Sequence, residues 1–432
     1  MLLIYSPISS PRLEYICATL FNQEVTITTD KWAYINYPSA KLNYSNEKFS
    51  EQDLTITPSG LLFQQNMQDQ QILCFDWNGL TSFFKTDSGT IPFDLLSAAF
   101  YLISRYEEWQ PFTPDQYGRY AHTNSAAYKN NFLHLPLVDL WLLAFESKVQ
   151  HYFPNYQLPQ KVFSFIPTYD VDIAYCYLHQ PFFKNLFGFY RDLLTGKLES
   201  FLERGNVYSG YHKDPYDQFD FLDEINSRYN LPAIYFFLLA DKRKGVDKNI
   251  HPSKKALQAL IIKTVGKYAT GIHPSWQSGE EDSLLEKEIN TLSDLTKKPV
   301  TSSRQHYLKM TIPETYPLLL KAGIKQDYTL GYGTSNGFRA SYANPFFWYD
   351  FHHEQVTNLK IHPFCYMDAN SIFELRLPVY EAKNELQAMW DQIKKVKGEM
   401  ICIFHNHFLT DQPDWVEWKK MYIDFLKENF RH

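Results

Sequence analysis

The chain reads as an α/β protein in two parts, a smaller α+β segment over residues 1–158 and a β/α array over 159–432. Three observations predict this. From Lys161 onward, apolar β-prone runs alternate with helix-spaced segments, the pattern of a parallel sheet or barrel. Before that point, short strand-like pieces are separated by polar, Gln/Asn-rich turns. Between the two lies a proline-bounded stretch, 154–159, that fits a boundary. At 432 residues there is ample core for both parts.

In the first part, strands are expected at 24–28, 54–57 and 71–75, and helices at 93–108 and 138–145, where apolar residues recur at helical spacing. In the second, strands are expected at 162–167, 233–239, 271–274, 300–304, 324–328, 359–366 and 400–404. Helices at 219–228, 283–295 and 316–322 lie between them. That makes about seven β/α units, and in such arrays the chemistry sits at the C-terminal ends of the strands.

Hydrophobic content of 44% and charged content of 21% are ordinary for a globular protein. Aromatic content is 17%, with 31 Tyr and 33 Phe. Such a surplus suits clefts that stack saccharides, and equally an aromatic-rich core, which is the expectation taken here. The net charge of −6 gives no basic footprint for nucleic acid and no polybasic membrane patch. Cys17, Cys74, Cys176, Cys365 and Cys402 are scattered and odd in number, which fits a reducing compartment and excludes a cysteine zinc site. The start, Met-Leu-Leu-Ile-Tyr-Ser-Pro, has no basic region and too short an apolar run for a signal peptide. No stretch reaches the length of a membrane span, so a cytoplasmic location is expected.

The most informative run is Phe165-Ile-Pro-Thr-Tyr-Asp-Val-Asp172. Residues i and i+2 of an extended chain point the same way, so Asp170 and Asp172 would face one site. Two such carboxylates need a metal or an Arg to neutralise one of them. The competing reading is an Asx turn capping the next helix. Other strand ends deliver His273, then Arg304 with His306, then Asp368, then His405 and His407. Singly each is weak, since a strand-end His is more often a hydrogen-bonded structural residue. The pair His352-His353 sits in a loop context and is assigned nothing. Convergence is the signal: a carboxylate with imidazoles suits zinc or a similar divalent ion, and leftover groups supply base and acid for hydrolysis at a polarised carbonyl.

The order of these motifs resembles the polysaccharide deacetylases of carbohydrate esterase family 4, from Val162 to about Leu409. The resemblance implies a distorted seven-stranded (β/α) barrel that uses a bound divalent metal to remove acetyl groups from N-acetylated sugars. Thr168-Tyr-Asp-Val-Asp172 resembles the family's Thr-Phe-Asp-Asp motif with one residue interposed, which makes Asp170 the base and Asp172 a metal ligand. His273-Pro-Ser resembles the start of its His-Ser/Thr-x-x-His motif, so His273 is an expected ligand, but Gln277 stands where the second His belongs. The stretch through a helix containing Glu288 to Val300-Thr-Ser-Ser-Arg304 follows the family's layout, and Arg304 would hold the base by a bidentate contact. His306 is expected to replace the missing ligand, giving Asp172, His273 and His306. Ile401-Cys-Ile-Phe-His405 resembles the final Leu-x-His motif, which makes His405 the general acid. His407 competes with it, because on an extended strand only one of the two can face the site. Asp368 is expected, by position, to orient that His. Ser104-Arg-Tyr-Glu-Glu108, Tyr117-Gly-Arg119 and Gly337-Phe-Arg-Ala-Ser341 resemble segments of a divergent branch with an extra N-terminal domain. Trp276, Arg339 and His407 are expected substrate contacts, with a structural ion pair the alternative for Arg339.

The expected function is metal-dependent removal of an N-acetyl group from an amino sugar or glycan, with zinc as the expected cofactor and an N-acetylated saccharide as the partner. Two alternatives stand beside it. One is a catalytically impaired glycan-binding or scaffold protein, supported by Gln277. The other is hydrolysis of a different linear amide by the same groups.

Overall fold

The computed structural model describes residues 1–22, 24–50, 53–279 and 281–430. Near the N-terminus, strands β1 (Leu2–Tyr5), β2 (Val25–Thr28), β3 (Lys41–Tyr44) and β4 (Thr55–Ile56) form a four-stranded sheet in the order β2-β1-β3-β4. Every pair in it is parallel. The short apolar run Leu-Leu-Ile-Tyr is its central strand and is buried along its length, as parallel strands covered on both faces are. The first helix, Pro11–Phe21, starts at Ser10, whose hydroxyl accepts from the Leu13 N–H, with Pro11 at the first helical position. Strands β5 (Phe75–Trp77) and β6 (Leu80–Ser82) form a hairpin whose Asn78-Gly79 turn has both residues at positive φ.

The second sheet has nine strands: β7 (Ser164–Val171), β8 (Ile234–Leu238), β9 (Ala269–His273), β10 (Ser302–Ser303), β11 (Gln326–Asp327), β12 (Phe346–Asp350), β13 (Gln355–Ile361), β14 (Tyr366–Met367) and β15 (Glu399–His405). Their order is β12-β13-β11-β10-β9-β8-β7-β15-β14, and every neighbouring pair except β12 with β13 is parallel. The chain thus builds a curled half-barrel that starts at β7, grows in one direction through β13, and closes back on the other side with β15 and β14. The expected strand 359–366 is two strands, interrupted by Pro363, which has no N–H for a ladder. Antiparallel β12 was not expected; its aromatic run pairs back on β13 through the turn that holds His352 and His353.

Side chains on β7 alternate. Tyr169 points out to the helices, where its hydroxyl meets that of Tyr422 at 2.7 Å, while Thr168 and Asp170 point into the curl toward Arg304. Ile234, Phe236, Leu308, Tyr328, Ile401 and Ile403 belong to the small apolar cluster inside the curl. The main apolar core is continuous from Leu2 and Leu13 through Phe100 to Tyr349 and Phe425, so both sheets share it. Polar ties cross the same junction. Arg12 pairs with Glu354, the Tyr15 hydroxyl donates to the Phe347 carbonyl at 2.7 Å, and the fully buried Arg339 and Glu108 form an ion pair.

Candidate active site

Asp170 lies near the C-terminal end of β7 with Asp172 just beyond it, on the same side of the backbone, as their spacing requires. Arg304, fully buried after β10, donates from Nη1 to Asp170 Oδ1 at 2.8 Å and to Thr168 Oγ1 at 2.6 Å. Its Nε is turned to the Tyr328 carbonyl at 3.0 Å, and its guanidinium rests on the Phe236 ring at 4.5 Å. The grip on Asp170 therefore has one prong, where a bidentate contact was expected: Nε is committed to the Tyr328 carbonyl, and Nη2 is buried without a hydrogen-bond partner. A buried guanidinium without an anion would be costly, and Asp170 supplies that anion as a buried ion pair with Arg304.

One ligand atom from each of Asp172, His273 and His306 lies within 4.8 Å of the others. His273 Nε2 is 3.2 Å from Asp172 Oδ1, and His306 Nε2 is 3.7 Å from Asp172 Oδ2. Both rings are fixed from behind. His273 Nδ1 lies 2.5 Å from the Arg304 carbonyl, and His306 Nδ1 lies 2.9 Å from Asp247 Oδ1. Acceptors at both Nδ1 positions place the proton there and turn the Nε2 lone pairs inward, the arrangement that metal-binding imidazoles adopt. Asp172 Oδ1 is buried and carries no hydrogen bond. One carboxylate and two imidazoles are a donor set for zinc or a similar borderline ion. The carboxylate and the imidazoles also act on one another's protonation. Burial pushes the Asp172 carboxyl up, but His306, His273 and His405 outweigh it and hold it well below the usual range. Burial pushes His306 down, yet Asp172 and Asp247 raise it to about 9.

Gln277 is outside this set. Its amide donates to the Lys242 carbonyl at 2.7 Å and to Asp247 Oδ2 at 3.2 Å, and the Trp276 N–H adds a third contact to Asp247 at 3.0 Å. Gln277 thus braces the carboxylate that braces His306. Asp247 itself escaped sequence reasoning, since it sits in a loop after β8 with no motif around it. Glu288 accepts the Ser275 N–H at 2.9 Å and pins the turn that follows His273; burial raises its carboxyl to about 7.

At the far side, Asp368 takes His405 by two atoms, with Oδ1 2.6 Å from Nδ1 and Oδ2 accepting the backbone N–H at 2.7 Å. The Nε2 side of His405 faces the cleft, 3.8 Å from Asp172 Oδ2. Burial lowers this imidazole, but Asp368, Asp172 and Asp170 raise it to about 10. The strand ends at His405 and a short 3-10 turn, Asn406–Phe408, follows. For that reason His405 and His407 do not alternate: both line the cleft, ring centres 5.4 Å apart. His407 has no carboxylate partner and its Nδ1 is unpaired. Burial first, then the charge of His405, depresses it to about 3.

The cleft over these groups is about 320 Å³. Its walls include Tyr117 and Arg119 from the N-terminal part, together with Tyr307, Met367 and Phe373. Arg119 is tied to Asp115 at 2.7 Å and donates to the carbonyls of Tyr307 at 2.7 Å and Gly333 at 3.2 Å, which fixes Tyr117 edge-on to Tyr307 at 5.3 Å. Two expected substrate contacts lie off the wall. Trp276 packs behind Tyr117 and Tyr307, 6.1 Å from each ring. Arg339 is withdrawn into the ion pair with Glu108, which also holds Arg105 at 2.8 Å, and its Nη1 donates to the Gly331 carbonyl at 2.8 Å.

Residues 2–154 match a family of unknown function, DUF7033. No curated protein matches the chain. Among solved structures, the fold is similar to that of a Mycobacterium smegmatis protein described as a polysaccharide deacetylase, at 12% identity and a TM-score of 0.38 over 64% of this chain and 88% of that one. It is also similar to a Puue allantoinase, at 12% identity and a TM-score of 0.37 over 62% of this chain and 84% of that one. At this degree of likeness neither protein says what this chain binds or does.

Proposed function

We propose that the chain is a metal-dependent amide hydrolase that removes the acetyl group from an N-acetylated amino sugar or glycan. The observation that carries the reading is the convergence of Asp172, His273 and His306, each imidazole held from behind so that its Nε2 faces in. The amino-sugar substrate rests on the order of the motifs from Thr168 to His405, and zinc rests on the donor set. A divalent cation held by these residues supplies Lewis acidity that polarises the amide carbonyl and acidifies water.

The chain's own groups divide the proton traffic. Asp170, held in place by the hydrogen bond from Arg304, accepts a proton from the attacking water as the C–O bond forms. His405, kept protonated and oriented by Asp368, gives its Nε2 proton to the departing nitrogen as the C–N bond breaks, leaving acetate and the free amine. His407, neutral in its apolar surroundings, is a wall residue in this scheme. The binding-only alternative rested on Gln277; with Gln277 engaged by Asp247 and His306 within the triad, no observation favours it.

Asp170→Asn is the direct test. Acetate release from an N-acetylated oligosaccharide should fall by at least about 100-fold, a typical contribution of a positioned base. Zinc measured on the purified protein should stay near one per chain. Full activity in this variant would sink the base assignment.

A further inference from the structure

Between β7 and β8 the chain builds a helical hairpin from Phe182–Leu194 and Leu198–Tyr208. Its amphipathicity is inverted. The inward stripe of the first helix is Asn185, Gly188 and Asp192, closed over the Arg204 guanidinium of the second. Arg204 donates to Asp192 at 2.8 Å and to Asn185 at 3.3 Å, and lies over the Tyr177 ring at 4.5 Å. The apolar side chains point to solvent: Phe182, Phe183, Phe187 and Leu194 on one helix, and Leu198 and Leu202 on the other, are each between 59% and 78% exposed. At 100° per residue the outward apolar residues of the first helix span an arc of about 140°. A helix of a globular protein buries such a stripe, and an exposed one of this breadth marks a surface that meets something apolar.

Charge decides what that is. Lys184 and Arg191 flank the arc on the first helix, and Lys197 lies in the link. Arg243 and Lys248, exposed in the loop after β8, lie close enough that, after burial, their positive charges help to hold the Lys184 ammonium below its usual range. Among the described residues Glu199 is the one exposed carboxylate on the two helices. The chain as a whole carries −6, so this cation cluster is local and invisible in the total. A two-fold contact with a second copy would bring these cations onto one another, which is unfavourable. An apolar arc flanked by Lys and Arg is the arrangement of helices that lie in a membrane interface, with aliphatic stems running up to the headgroups.

The hairpin and the basic loop both leave the sheet at strand C-termini, the end that carries Asp170 and Asp172. The hairpin base is clamped there by Asp214, whose carboxylate accepts the N–H groups of Cys176, Tyr177 and Leu178 at 2.7, 2.9 and 2.9 Å. We infer that the 182–208 hairpin seats the protein on an anionic lipid surface, with its Phe/Leu face in the headgroup–acyl boundary and Lys184, Arg243 and Lys248 against the lipid anions. The cleft then opens at the membrane-facing end of the molecule. This inference stands apart from the proposed reaction, since it uses none of the same residues.

Flotation of the full chain with vesicles tests it. Phosphatidylcholine vesicles containing phosphatidylglycerol should carry the protein up the gradient, and pure phosphatidylcholine should carry much less. Phe183→Glu with Phe187→Glu should abolish flotation with circular dichroism unchanged, because both side chains are exposed. Arg243→Gln and Lys248→Gln should each weaken binding about fivefold at low salt. Flotation on neither vesicle, equal flotation on both, or flotation that survives the double Phe variant would overturn the inference. So would a dimer by light scattering that Phe187→Glu dissociates, which would make a second copy the occupant of the face.

Discussion

At the residue scale, the site is organised by the atoms that face away from it. His306 reaches Asp172 with one nitrogen and is aimed by Asp247 through the other, with Gln277 and the Trp276 amide aiming Asp247 in turn. Outer partners of this kind typically contribute 10- to 100-fold in metal affinity. Asp247→Asn should therefore weaken zinc binding by about that factor, read by competition with a chromophoric chelator, while far-ultraviolet circular dichroism stays native. Gln277→Ala should move the same affinity in the same direction by less, since the Trp276 amide remains. The two histidines at the end of β15 should separate as sharply. His405→Gln should reduce kcat by about 100-fold or more, because it removes the group that Asp368 keeps charged. His407→Gln should leave kcat within about an order of magnitude and act on KM, because a neutral imidazole is not a general acid.

Most of these residues were legible in the sequence, and the reason is geometric. A parallel β/α array puts whatever ends its strands in one place, so Asp170, Asp172, His273, Arg304, His306, Asp368 and His405 could be read from strand ends alone. Asp247 and Tyr117 were not legible: one lies in a loop without periodicity, the other arrives from the opposite part of the chain.

At the scale of elements, the same contrast holds. Long apolar strands such as β7, β8 and β15 announce themselves. The strands expected at 300–304 and 324–328 are each only two residues long, β10 and β11. The central strand β1 was missed because four apolar residues carry no period to read. The 182–194 helix shows a different limit. Its pattern is amphipathic, but the pattern alone does not say which face turns inward, and here burial of Asp192 with Arg204 reverses the usual answer. The elements are also joined by buried charge. Glu108 follows the 95–103 helix and Arg339 the β11 segment, and both are about 2% exposed in their side chains. Arg339→Met leaves Glu108 with Arg105 alone, and Glu108→Gln leaves two guanidinium groups facing each other. Glu108→Gln should cost about 3–5 kcal/mol in chemical denaturation, the usual consequence of stranding a buried charge, here that of Arg339, and Arg339→Met should cost less because Arg105 still pairs with Glu108.

At the scale of the whole molecule, the cleft belongs to both parts of the chain. Tyr117 stands on Tyr307, and Arg119 fastens that contact through two carbonyls of the barrel. Tyr117→Ala should raise KM for the acetylated substrate several-fold, by about the 0.5–1.5 kcal/mol that an aromatic contact contributes, with kcat and bound zinc unchanged. A fall in kcat with KM unchanged would instead place Tyr117 in the chemistry.

The shared core has a consequence for how this sequence can change over time. Glu108 and Arg339 lie 231 positions apart and meet in a buried ion pair. Arg12 and Glu354 pair across the same seam, with Arg12 buried and the Glu354 carboxylate partly exposed. Exchanging or removing the first 150 or so residues should therefore leave Arg339 buried without its carboxylate partner and lower the midpoint of chemical denaturation of the remainder. They and the barrel must drift as one inheritance, each substitution at the seam answered by another across it.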